Sequence, residues 1–142
     1  MIAIFALSAA LSAAPIGRAI DGQVVAADGP VALVFWSQDC RGCGAAMAEL
    51  EDTGLPIIAI NTDAASQRSS LRAFSSRHDI SSPIISDADG RLQQQFQLRE
   101  GVVLLDDSGS TVWHRDDTSA AVTALLDDST TAWLGEAIAQ TR

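Results

Sequence analysis

Lysine is absent from this 142-residue chain: its nine basic residues, all arginine, stand against eighteen acids, for a formal charge of −9. A nucleic-acid partner calls for clustered positive charge, so that class is excluded. Long apolar runs are missing too. The most apolar stretch, Met1 to Ala14 with Ser8 and Ser12 inside it, is shorter than the ~20 residues of a membrane-spanning helix, and no stable span is expected. Cysteine and histidine number two each. A zinc or copper site would have to join Cys40 and Cys43 to His78 and His114, lone histidines without paired spacing, so a metal is the weaker reading and no cofactor is expected. Internal repeats and low-complexity segments are lacking, and the length suits a single domain with a substantial core.

What is present is organised around residues 31–48. Val31 to Trp36 is a continuous apolar run, the pattern of a central strand buried on both faces. Ser37, Gln38 and Asp39 break it with cap-forming residues, and from Gly44 onward the composition favours helix, so Cys40 and Cys43 are predicted to open that helix, with Asp39 as its N-cap. Residues three apart on a helix share a face, within reach of disulfide closure. A thiolate at a helix start is stabilised by unpaired N–H groups, most of all for the more N-terminal thiol. A structural disulfide remains open, although a loop of two residues restrains little of the unfolded chain.

The Phe35-Trp36-Ser37-Gln38-Asp39-Cys40-Arg41-Gly42-Cys43 segment resembles the Phe-Trp-Ala-x-Trp-Cys-x-x-Cys signature of the thioredoxin superfamily. Downstream, Ser86-Asp87-Ala88-Asp89-Gly90, Phe96-Gln97-Leu98 and Val103-Leu104-Leu105-Asp106-Asp107-Ser108-Gly109 are similar to the corresponding run of TlpA/ResA-type extracytoplasmic redoxins. The resemblance covers roughly Gly22 to Trp113. It implies an α/β thioredoxin fold, a central mixed β-sheet flanked by helices with an antiparallel C-terminal hairpin. It also implies a monomeric thiol-disulfide oxidoreductase without cofactor, whose partners are protein dithiol or disulfide clients and a redox partner. In that reading Cys40 is the nucleophile and Cys43 resolves the mixed disulfide, while Trp36, Asp39, Arg41 and Gly42 modulate the pair. Glu100 and Gly101 lie on the substrate loop.

Several positions depart from the pattern. Asp39 replaces a Trp, and as a cap its carboxylate competes with the Cys40 thiolate for the same N–H groups. Ala46 stands where a proton-moving Glu is usual and Val34 where ordinary thioredoxins carry a buried Asp, so no general base is legible. Ala48 replaces the helix proline, and Arg99-Glu100-Gly101 is shortened and lacks the cis-proline that faces the disulfide. A thioredoxin-like binding module that has lost efficient exchange is therefore the reading from another class. Ser37-Gln38-Asp39-Cys40 also resembles the Thr-x-x-Cys core of peroxiredoxins, with Arg115 as a conceivable activating partner, but Leu33 stands where their proline belongs.

The remaining chain supplies the frame. Met1 to Ala14, ending Ser12-Ala13-Ala14, resembles an export signal, which makes 15–142 the mature domain and its place periplasmic or otherwise extracytoplasmic, where a disulfide persists. Strands are predicted over Gly22–Gly29, Ile57–Asn61, Ser82–Ser86, Val102–Leu105 and Ser110–His114, the last two as a hairpin. Helices are predicted over Ala64–His78, Arg91–Gln97, Thr118–Leu126 and Thr131–Gln140. Trp36 and Phe35 read as core residues, as do Trp113 and Trp133. The Asp106-Asp107, Asp116-Asp117 and Asp127-Asp128 pairs read as solvated turns and caps, since none has the alternating ligands of a calcium loop.

Overall fold

In the computed structural model, which describes residues 14–27, 29–65 and 67–127, five strands form a mixed sheet. In chain order the elements are β1 (Ala14–Arg18), β2 (Val24–Ala27), β3 (Val31–Trp36), α1 (Cys43–Glu51), β4 (Ile57–Asn61), α2 (Arg68–Arg77), β5 (Ile84–Ser86), α3 (Arg91–Phe96), β6 (Gly101–Leu105), β7 (Thr111–Asp116) and α4 (Thr118–Leu125). The order across the sheet is β5-β4-β3-β6-β7, and β3 is central. It pairs parallel with β4 and antiparallel with β6. The β6-β7 hairpin is antiparallel, as the Asp107-Ser108-Gly109 turn predicts.

All six residues of β3 are buried because both faces of the sheet are covered. Successive side chains alternate between faces. Ala32, Val34 and Trp36 enter a core with Cys43, Met47, Leu50, Leu71, Phe74, Val122 and Leu125, which brings α1, α2 and α4 to one side. Val31, Leu33 and Phe35 enter a second core with Leu92 and Leu98, which brings the α3 segment to the other. Each large apolar side chain buried this way stabilises the fold by about 1.5–3 kcal/mol.

Three elements differ from their sequence-based boundaries. A strand, β1, precedes the expected first one and pairs with β2 as a separate two-stranded sheet. The Ala64–His78 helix begins only at Arg68: Asp63 N–H donates to Asn61 Oδ1 and its carboxylate accepts from Gln38 N–H, which hold the preceding residues in a turn. The third concerns α1, whose N-cap is Gly42 rather than Asp39. The export signal and the Thr131–Gln140 helix with Trp133 lie outside the described residues, except that Ala14 already belongs to β1. Trp113 is half-buried against the α1 side of the core. The Asp pairs are turn and cap residues where described: Asp117 caps α4 by accepting from Ala120 N–H, and Asp106 accepts from the Ser108 hydroxyl and from the Ser108 and Ser110 N–H groups. The Ser108 hydroxyl, followed by the Ser110 N–H, holds the Asp106 carboxyl below its usual 3.8.

Candidate active site

Cys40 and Cys43 are joined as a disulfide, with their Cα atoms 5.7 Å apart. The two sulfurs differ in surroundings: Cys43, the first residue of α1, is fully buried, whereas Cys40 in the preceding turn is half-buried. The sequence places both thiols at the helix opening; the structure gives that position to Cys43 alone. Gly42 sets the boundary, because its φ of 80° is a left-handed conformation that interrupts a helix on its N-terminal side and suits glycine. The first helical bond runs from Ala46 N–H to Gly42 O, so the N–H groups of Cys43, Gly44 and Ala45 have no partner within α1. Asp39 is exposed two turn residues before the cap and does not occupy them, so the expected competition between its carboxylate and the Cys40 thiolate does not arise.

The turn carrying Cys40 is pinned from both sides of β3. From the β4 side, Asp63 accepts Gln38 N–H at 2.8 Å, and Thr62 donates both its N–H and its hydroxyl to Trp36 O. From the β6 side, Ser37 Oγ donates to Glu100 Oε1 at 3.0 Å. One residue inward, the buried Thr118 accepts Gly101 N–H at 2.9 Å and donates to Phe35 O at 2.5 Å, tying the start of α4 to β3 and β6 together. Ser119 Oγ donates to Arg41 O at 3.3 Å, which brings α4 against the Arg41-Gly42 link. Asp63, Thr62, Thr118 and Ser119 escape sequence reasoning, since isolated polar residues at element ends carry no spacing signal.

The substrate-loop pair separates. Glu100 is half-buried and borders a hollow of about 360 Å³ lined by Gln97, Leu98, Arg99, Asp116 and Asp117. Gly101 is the buried first residue of β6, paired with Phe35 and with Asp116. No cis peptide bond occurs among the described residues. Trp36 is fully buried and stacks on Phe74 at 5.1 Å, which places it in the core as expected, and its Nε1 has no hydrogen-bond partner among the described residues. Arg41 is exposed, and Arg115 lies exposed on β7 opposite Val102. Among the described residues no cluster of three His, Cys, Asp or Glu side chains is arranged to hold a metal.

Removing the Thr118 hydroxyl with the nearly isosteric Thr118→Val leaves a buried N–H and weakens the tie to a buried carbonyl. The expected loss is about 1–3 kcal/mol, read as a lower urea midpoint with an unchanged slope.

The profile of the AhpC/TSA family matches residues 16–115, most of the chain, from within β1 to within β7 and including both cysteines. The chain belongs to the AhpC/TSA family. Among solved structures, this AhpC/TSA protein is similar to a secreted Mycobacterium tuberculosis disulfide oxidoreductase homologous to E. coli DsbE, at 18% identity and a TM-score of 0.59 over 77% of this chain and 94% of that one. StoA from Bacillus subtilis matches at 14% identity and a TM-score of 0.60, over 82% and 98% of the two chains. A thioredoxin-like protein from Aeropyrum pernix matches at 20% identity and 0.66, over 90% and 92%. No curated protein matches the sequence. The fold is therefore thioredoxin-like, with a Cys-x-x-Cys pair that runs from the turn after β3 into the first residue of α1.

Proposed function

We propose that this protein is a thiol-disulfide oxidoreductase that exchanges the Cys40–Cys43 disulfide with protein dithiols or disulfides. The observation that carries the reading is the asymmetry of the pair: one sulfur is within reach of solvent, and the other is buried at a helix start whose first three N–H groups have no partner within the helix. Those N–H groups favour a thiolate once the disulfide opens, and a thiolate is the attacking and the leaving species in exchange. Cys40 is the nucleophile toward clients and Cys43 the resolving thiol. Glu100 borders the surface on which a client chain lies, and Arg41 and Gly42 flank the reacting sulfur. The protein acts as a monomer, residues 15–142 forming the mature domain outside the cytoplasm. The extracytoplasmic assignment is supported by the Ser12-Ala13-Ala14 pattern and by the likeness in fold to the secreted Mycobacterium tuberculosis oxidoreductase. No helix among the described residues is long and apolar enough to cross a membrane.

The test is catalytic reduction of a disulfide-bonded test protein with dithiothreitol as electron donor. Reduction well above the uncatalysed rate is expected. A rate equal to the uncatalysed one, from folded protein, overturns the reading and favours a thioredoxin-like docking module, in which the Arg99-Glu100-Gly101 connection, without the usual proline, serves binding alone.

A further inference from the structure

Ala46 and Val34 leave the pair without the acids expected at those positions, yet a titratable ring lies against the same helix turn. His78, at the C-cap of α2, packs on Gly44, the residue directly after Cys43. The fit is close enough that a β-carbon on Gly44 would collide with the imidazole. Gly44 does not have a left-handed backbone, so the contact itself is what glycine accommodates here. The ring is held by Phe74, 4.6 Å away centre to centre, which in turn stacks on Trp36 in the core that contains Cys43. Consecutive Cα atoms are about 3.8 Å apart, so the imidazole borders the turn where the Cys43 sulfur is attached.

We propose that His78 is the charge partner of the Cys40–Cys43 couple, taking up a proton when the disulfide is reduced and favouring ionisation of the thiols at the start of α1. The proposal rests on the oxidoreductase reading. In the balanced step a client dithiol loses two electrons and two protons and becomes a disulfide. The Cys40–Cys43 bond breaks, leaving a Cys40 thiolate and a Cys43 thiol, and the second proton goes to His78. In the reverse direction the proton held by His78 goes to the client thiolate released when Cys40 attacks, and the proton lost by Cys43 as it resolves the mixed disulfide passes by way of the neutral imidazole to the second client thiolate. A thiolate formed on reduction and an imidazolium beside the same helix turn stabilise one another. The other charged groups on the elements around the ring are already engaged or turned outward. Glu51 on α1 accepts from Ser81 and Ser82, Glu49 is exposed, and the Arg77 guanidinium lies 5.9 Å from the centre of the Phe74 ring. Asp79, next in the chain, is exposed. His78 is thus a positioning residue that acts through the charge it brings to the helix start.

Reduced protein mixed with a chromogenic aromatic disulfide releases one thiol when Cys40 attacks and a second when Cys43 resolves, and stopped flow separates the two phases between pH 5 and 9. Wild-type resolution is expected to follow a histidine titration and to be near its plateau at pH 7. His78→Gln is expected to be roughly tenfold or more slower there and to recover only as the pH approaches 8.5, the ordinary thiol range. Identical pH profiles in folded His78→Gln and wild type overturn the proposal. If the variant does not fold, imidazole NMR of the wild type decides instead. The His78 titration midpoint should be higher in reduced than in oxidised protein while that of exposed His114 stays put, and equal midpoints for His78 overturn it. A wild type that shows neither phase refutes the oxidoreductase reading itself, and the role of His78 falls with it.

Discussion

Cys40→Ser is expected to abolish exchange, and Cys43→Ser to convert the protein into a trap that accumulates mixed disulfides with its clients. The difference follows from exposure. In the proposed exchange a client sulfur meets the half-buried Cys40, and the bond formed there is released by attack from the fully buried Cys43. Serine at 43 removes that attack but leaves the helix start that favours a thiolate at 40. Serine at 40 leaves a thiol that clients do not reach. A rate loss of at least about a thousandfold is expected for Cys40→Ser in reduction of the test protein, because the covalent step disappears. Non-reducing electrophoresis followed by mass spectrometry reads the trapped adducts. Equal trapping by the two variants contradicts this division of roles.

Gly101→Ala is expected to cost about 2–5 kcal/mol, a large part of the 5–15 kcal/mol that holds a domain of this size together. Two effects add. Gly101 has φ 136°, a conformation that side-chain-bearing residues rarely adopt, at about 1–3 kcal/mol. A β-carbon there would also collide with the backbone oxygen of Arg115, and a backbone atom cannot turn aside as the end of a flexible side chain does. The strain falls where β3, β6 and β7 are joined and where Thr118 takes the Gly101 N–H. Gly109→Ala is the control: its φ of 85° is similarly unfavourable, but a β-carbon there meets nothing within 4 Å. Denaturant unfolding of both variants separates strain from collision, and equal losses would show that the collision is relieved by a small shift of β7.

Much of the frame was legible because apolar periodicity records burial directly. Val31 to Trp36 announces a strand covered on both faces, and Leu71 with Phe74 announces the inward face of α2. β1 was missed because Pro15, Gly17 and Arg18 interrupt any alternation, and its pairing with β2 is a tertiary event. At the site, the two cysteines and the strand-to-helix order were plain. The cap was misplaced because Asp is a stronger cap former than Gly by side-chain chemistry, whereas the deciding property at position 42 is backbone freedom. His78 read as the end of a helical pattern and as a weak metal-ligand candidate, since nothing in the spacing of positions 44 and 78 links them before the chain is folded.

The attachments of α1 at both ends have a kinetic meaning. Its first turn packs on the His78 ring, while at its last residue the Glu51 carboxylate accepts from the Ser81 and Ser82 N–H groups and from the Ser82 hydroxyl, and neither attachment depends on the disulfide. A helix fixed in this way cannot swing Cys43 away when the bond to Cys40 opens. In the proposed exchange the resolving sulfur is then presented as in a well-oriented intramolecular reaction, a class in which effective concentrations on the order of 10⁵ M or more are reached. Under the proposed exchange, free thiols at millimolar levels in the surroundings do not compete with that, and a client captured on Cys40 is released by the protein's own second cysteine before a small molecule intercepts it.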